Sequence, residues 1–261
     1  MCGIAGIFQW QGESVLSAAA PMTEALVHRG PDGFGYYTDA GVALGHRRLK
    51  IIDLSDRSKQ PIADTRGRAV TVFNGEIYNY KELRRELTSR GHEFASSGDS
   101  EVVPAAYNEW GDECVQRLHG MFAFALFDTR RRRLLLARDR IGIKPLYVVR
   151  TNAYVAFASE IKALIAGGLV TPRPNRPAIA QYIQRGYHDH GATWYEDVYE
   201  LAPAHLMTFE ADGAQTSRAY WTLPTPDQEP GGDPAAELRA VLERAARSHL
   251  QSDVPIGAHL S

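Results

Sequence analysis

The chain has 261 residues, 44% of them hydrophobic and 23% charged, with a formal net charge of −2. These are ordinary globular values, and so balanced a charge gives no electrostatic reason to bind nucleic acid or an anionic membrane. No run approaches the roughly eighteen apolar residues of a membrane span, no basic and then apolar leader opens the chain, and two cysteines make no disulfide framework and suit a reduced, cytoplasmic setting.

The chain begins Met1-Cys2-Gly3-Ile4-Ala5-Gly6-Ile7-Phe8. With Met1 removed, Cys2 would carry both a thiol and a free α-amine. A free thiol with a pKa of about 8.5 is mostly protonated at neutral pH. An α-amine titrating near about 8 is partly neutral and can take that proton, so an N-terminal nucleophile brings its own base. The apolar run over residues 4–8 predicts a short buried strand that holds this terminus in the fold. The bland alternative is a cysteine that is second by accident on a frayed end.

Residues 14–28 read as helical, with Leu16, Ala19, Met22 and Leu26 near one face; Pro21 predicts a break or an internal start. His28-Arg29-Gly30-Pro31-Asp32-Gly33 is dense in turn residues. Residues 41–45 return as a strand and run into Gly45-His46-Arg47-Arg48-Leu49-Lys50-Ile51-Ile52-Asp53. A strand over 69–73 ends at Asn74-Gly75, a strong hairpin signal. A helix over 80–90 follows, with Leu83 and Leu87 one turn apart and Gly91 as its C-cap. Asp99 or Ser100 then reads as the N-cap of a helix reaching Trp110. Cys114 falls in a short helix and reads as a small core residue.

In residues 121–128 every position before Asp128 is apolar, rather than every second one. Arg130 to Arg133 make a solvated turn, and 133–137 return as the second strand of a hairpin. Antiparallel sheets usually keep one wet face, so apolar residues on both faces require cover on both: a second sheet on one side and helices on the other. Strands over 145–149, 154–158 and 205–209 and helices over 160–166 and 178–185 follow. The composition of 223–233 shifts to Pro, Gly, Asp and Glu, as in a linker. Asp233-Pro234 then starts a helix, with Asp as N-cap and Pro in its first turn, whose apolar face is Leu238, Val241, Leu242 and Ala245.

Taken in order, Met1-Cys2-Gly3-Ile4-Ala5-Gly6, His28-Arg29-Gly30-Pro31-Asp32, Gly45-His46-Arg47-Arg48-Leu49, Phe73-Asn74-Gly75-Glu76-Ile77-Tyr78-Asn79, Gly98-Asp99-Ser100-Glu101 and Arg138-Asp139-Arg140-Ile141-Gly142-Ile143-Lys144-Pro145 resemble a class II glutamine amidotransferase. Within that class the arginine segment resembles glutamine-hydrolysing asparagine synthetases. The resemblance implies an α+β fold: the four-layer αββα sandwich of antiparallel sheets of the N-terminal-nucleophile hydrolases, over residues 1–222. A linker over 223–233 and the first helix and strand of an α/β synthetase domain, cut short, over 234–261 would follow.

The resemblance also assigns roles. Cys2 attacks the side-chain amide of L-glutamine and forms a thioester, releasing ammonia; water then frees glutamate. Asn74 and the Gly75 N–H stabilise the oxyanion. Arg48 grips the α-carboxylate, for which its planar fork is suited; Asp99, assisted by Glu76, takes the α-ammonium; backbone groups at Ile51 and Ile52 complete the pocket. His28, Arg29 and Asp32 are expected in a loop over the site, and Arg138, Asp139 and Lys144 in a buried polar network or domain contact rather than in catalysis. Glutamine hydrolysis would use no cofactor or metal. ATP and Mg²⁺ would serve the full-length synthetase, where Leu260 and Ser261 would approach the nucleotide. The implied partners are L-glutamine and the missing C-terminal domain, with a homodimer left open. Two other readings stand beside this one: the glutaminase part of another ATP-dependent amidotransferase of secondary metabolism, and a non-catalytic scaffold.

Overall fold

The computed structural model describes residues 1–187, 189, 191–225 and 233–257. Twelve strands form two six-stranded sheets, and every strand pairing is antiparallel. The first sheet runs β10 (Tyr199–Glu200), β8 (Tyr147–Arg150), β9 (Tyr154–Ala158), β1 (Gly3–Gln9), β3 (Val42–Arg48), β2 (Gly33–Asp39). The second runs β12 (Gln215–Ala219), β11 (His205–Phe209), β7 (Arg133–Arg138), β6 (Gly120–Asp128), β5 (Ala69–Ile77), β4 (Ile62–Ala63).

Three apolar interfaces separate four layers. Helices α1 (Ala19–Glu24) and α5 (Ile161–Ala166), with the turn after α1, cover the outer face of the first sheet through Met22, Leu164 and Leu26 against Ala5, Ile7 and Ala156. Ile4, Phe8 and Leu44 of the first sheet meet Val72, Phe127 and Leu136 of the second between the sheets. Helices α2 (Tyr80–Ser89), α3 (Val102–Trp110) and α4 (Cys114–Arg117) cover the second sheet's outer face, with Leu83, Leu87 and Val103 against Phe73 and Phe124. The β6–β7 hairpin explains its own composition. Phe122, Phe124 and Leu126 face the helices while Ala123, Ala125 and Phe127 face the other sheet, because successive strand residues alternate sides. This is the doubly covered αββα arrangement that the sequence predicts. Cys114 is fully buried in the helical layer, as a core residue should be.

Several local expectations are corrected. The helix expected over 14–28 shrinks to a single 3₁₀ turn at Leu16–Ala18 and α1, with Pro21 inside the first turn where its missing N–H leaves nothing unpaired. Asn74-Gly75 is not a hairpin: β5 runs through it to Ile77, paired residue for residue with β6. Neither Asp99 nor Ser100 caps α3, whose N-cap is Glu101 without a side-chain bond. Arg133 is not merely solvated; it is largely buried and pairs with Asp112 and Glu210.

Helix α6 (Arg176–Arg185) lies at the periphery, burying only Ala178. Helix α7 (Pro234–His249) starts where expected, with the Asp233 carboxylate accepting the Ala235 and Ala236 N–H groups. Its apolar face, Leu238, Val241 and Leu242, is exposed. Residues 251–257 form no strand: an isolated strand leaves its backbone groups unpaired, and here the Asp253 N–H is bonded to the Ile51 carbonyl instead. Most of the expected linker, 226–232, lies outside the described residues. No helix among the described residues is long and apolar enough to cross a membrane.

Candidate active site

Cys2 stands at the mouth of a cavity of about 230 Å³ between the ends of the two sheets. Strand β1 begins one residue later, so its pairing to β3 and β9 fixes where the thiol sits. Two further contacts hold it. The Arg29 Nε donates to the Cys2 carbonyl at 2.9 Å, and Arg29 is itself anchored by Glu160 at 2.9 Å. The Sγ accepts the Leu49 N–H at 3.4 Å. Burial pushes the Cys2 thiol up from its ordinary pKa, against the Leu49 hydrogen bond and the nearby terminal amine, which pull it down. The resting thiol is therefore neutral and needs a base to attack. The terminal amine is shifted the other way: burial lowers its pKa, and Arg29 and Lys144 add to the effect, which favours the neutral form that can accept a proton. Here that amine belongs to Met1, whose side chain lines the same cavity.

Asn74 and Gly75 face Cys2 from β5. Tyr78 donates to the His119 carbonyl at 2.7 Å, continuing the β5–β6 register. In an antiparallel pair the bonded residues alternate, so the even residues bond to β6. The odd residues aim their N–H groups at the opposite edge, where β4 has already ended. There Phe73 donates to Gln60 Oε1 at 2.6 Å and Ile77 to Asp99 Oδ2 at 2.9 Å. The Gly75 N–H lies between them, on the rim of the cavity. Beside it the Asn74 amide nitrogen is buried and has no hydrogen-bond partner among the described residues. A buried amide without a partner is costly, and two convergent donors beside a thiol are the arrangement that an oxyanion would satisfy.

The charged groups come from both sheets: Arg48 from the end of β3, Glu76 from β5 and Asp99 from beside it. Arg48, at the end of β3, is buried and donates to the backbone carbonyls of Asp53 and Ser55, the latter at 2.7 Å. The loop that it ties down carries Ile51 and Ile52 into the cavity wall. Asp99 is fully enclosed; burial pushes its carboxyl up to about 6 against the Ile77 hydrogen bond, with the neighbouring Glu76 adding to the rise. Burial likewise raises Glu76, opposed by Lys144 and His249. Two cationic side chains (Arg48 and Lys144), a carboxylate pair, two donors and a thiol thus line one amino-acid-sized space. The structure brings together Cys2, Arg48, Ile51, Ile52, Asn74, Gly75, Glu76 and Asp99.

Several other residues line the cavity that the sequence does not place there, among them Lys144, Gln60 and Ser58. Lys144, expected in a network away from the chemistry, lines the cavity near Met1 and Glu76, and burial lowers its ammonium pKa. Arg138 and Asp139 do form the expected network: Arg138 donates to the carbonyls of Lys144 and Leu201, and Asp139 accepts the N–H groups of Phe122 and Lys144. Their shared contact with the Lys144 backbone is what places its side chain. Gln60 and Ser58 also line the cavity, and nothing in their local sequence marks them. Arg29 buttresses Cys2, whereas His28 is half exposed and Asp32 accepts the Lys50 N–H at 2.9 Å. Leu260 and Ser261 lie outside the described residues.

A family model described as a glutamine amidotransferase domain matches residues 1–221. The chain belongs to this family. It is 36% identical over 267 residues to asparagine synthetase [glutamine-hydrolyzing] 3 of Bacillus subtilis, covering all of this chain and 43% of that protein. It is 34% identical over 279 residues to amidase chry2 of Gibberella zeae, covering all of this chain and 41% of that one. The chain therefore spans less than half the length of these relatives. Among solved structures, B. subtilis glutamine phosphoribosylpyrophosphate amidotransferase in complex with ADP and GMP superposes with a TM-score of 0.62 at 19% identity, over 85% of this chain and 50% of that one. That likeness shows the fold: the four-layer sandwich of two antiparallel sheets between helices.

Proposed function

We propose that this amidotransferase domain hydrolyses L-glutamine through a Cys2 thioester. The observation that carries the reading is the unpartnered Asn74 amide beside the open Gly75 N–H, both facing the Cys2 cavity. Removal of Met1 leaves the Cys2 α-amine free. That amine takes the thiol proton as sulfur attacks the γ-amide carbon. The carbonyl oxygen becomes an oxyanion held by Asn74 Nδ2 and Gly75 N–H. Collapse breaks the C–N bond, and the ammonium returns the proton to the leaving ammonia. Water then adds to the thioester, releases glutamate and restores the thiol. Arg48 holds the α-carboxylate, Asp99 with Glu76 the α-ammonium, and Ile51 and Ile52 the side of the substrate. None of these steps calls for a metal or cofactor.

In this reading residues 1–222 form the amidotransferase unit and 234–261 begin a synthetase domain, joined by 223–233. In the longer, cytoplasmic protein the ammonia would amidate aspartate at the expense of ATP with Mg²⁺. The relative named as an amidase supports a second reading of the acceptor, another carboxylate activated in the same way. Glutamate release from L-glutamine by this chain, lost in Cys2→Ala, tests the hydrolytic half. Failure of the Met1-processed protein to release glutamate would favour a non-catalytic scaffold. Aspartate-dependent ATP consumption by the longer protein tests the acceptor.

A further inference from the structure

The chain beyond α7 returns to the rim of the cavity. The His249 ring packs on Tyr78 with centroids 4.7 Å apart, and the Gln251 amide donates to the Tyr78 carbonyl at 2.6 Å. Asp253 then meets the loop after Arg48 at two points. Its N–H donates to the Ile51 carbonyl at 2.9 Å, and its Oδ2 accepts the Asp53 N–H at 2.7 Å. These contacts bracket Ile52, which lines the cavity, as Asp253 itself does not.

The bracketed turn is the one that orients Arg48. Asp53 has a φ of +53°, a left-handed conformation that Asp tolerates but that persists only where its surroundings over-determine it. Ser55 and Ser97 fix its carboxylate from one side at 2.5–3.0 Å, and Asp253 fixes its N–H from the other. Its carbonyl, thus aimed, accepts from Arg48 Nη2. We propose that Asp253 is a positioning residue for the glutamine site: by clamping the backbone on both sides of Ile52 it holds the Asp53 carbonyl under Arg48 and so sets the aim of the guanidinium. The proposal rests on the reading of Arg48 as the α-carboxylate ligand. It makes the segment after α7 a mechanical link by which whatever follows it can change glutamine affinity.

The test compares this chain with its Asp253→Ala and Asp253→Asn variants. Loss of a hydrogen bond from a charged group should raise KM for glutamine about tenfold in Asp253→Ala, with kcat changed less than about twofold. The half-saturating concentration of a diazo-ketone analogue of glutamine at Cys2 should rise in parallel. The rate of Cys2 alkylation by iodoacetamide, which has no α-carboxylate, should not change. Asp253→Asn keeps an oxygen that accepts the Asp53 N–H and should stay near wild type. Backbone amide exchange over residues 49–58 should quicken in Asp253→Ala while the β6–β7 hairpin keeps its protection. Unchanged exchange over 49–58, or an unchanged half-saturation, overturns the clamp. If wild-type Cys2 takes up iodoacetamide but not the diazo-ketone, it is the glutaminase reading that fails, and the exchange comparison still decides on the clamp.

Discussion

The Asp99 carboxylate accepts the Ile77 backbone N–H at 2.9 Å, two residues along β5 from Gly75. Gln60 takes the Phe73 N–H on the other side at 2.6 Å. The free edge of β5 is thus pinned on both sides of the Gly75 N–H. A donor held this way does not have to reorganise when charge develops in front of it, which is where electrostatic catalysis gains most.

Asp99 also makes the site sensitive to pH. Burial raises its carboxyl to about 6, above the ordinary value near about 4. The folded protein therefore holds this proton more tightly than the unfolded chain. The associated stabilisation is complete below about pH 4 and is lost as pH rises through about 6. Binding an ammonium needs the ionised form, so KM for glutamine should fall as pH rises from about 5 to about 7. Steady-state kinetics across that range check this. In Asp99→Asn the KM should be high at every pH and the slope should vanish.

In the proposed function Asn74→Ala removes one of two oxyanion donors. The expected result is a fall in kcat of roughly 10²–10³-fold with little change in KM, since the interaction strengthens only as the oxygen becomes negative. Steady-state hydrolysis of glutamine measures both. A large KM effect at constant kcat would place Asn74 in ground-state binding instead.

Gly75 is required by the closeness of two backbones. A Cβ there would lie 2.2 Å from the Met121 carbonyl oxygen and 2.7 Å from the Phe122 Cα, neither of which can move without parting β5 from β6. Gly75→Ala should lower stability by about 1–3 kcal/mol, read from the midpoint of urea unfolding. It should also depress kcat, because the displaced strand carries both proposed oxyanion donors.

The layers were legible because they follow from patterning. A hairpin that is apolar on both faces can only be an inner layer, and the 120–138 region behaves so. The hairpin signal at Asn74-Gly75 misled because Asn-Gly favours a tight turn locally, whereas nine consecutive pairings with β6 override it. Capping by Asp99 was a local reading of the same kind, displaced by the pull of Ile77 from another element. The residues proposed as nucleophile, donors and charged ligands could be expected at one cavity because each sits in a dense, ordered motif. Lys144, Gln60 and Ser58 reach the cavity only through tertiary contacts, such as the Arg138–Asp139 network behind Lys144. The exposed apolar face of α7 shows the opposite case: its helical spacing was readable, but what it packs against was not.

The central claim is a processed N-terminal thiol in an assembled glutamine pocket, and the most direct measurement is the intact mass of untagged protein before and after a diazo-ketone analogue of glutamine. The expected result is loss of one methionine and gain of a single adduct, protected by L-glutamine and absent in Cys2→Ala, with buried Cys114 unmodified. Retention of Met1 would leave Cys2 without its amine, and a processed chain that takes up no adduct would mean that the pocket does not bind glutamine; either result would contradict the mechanism.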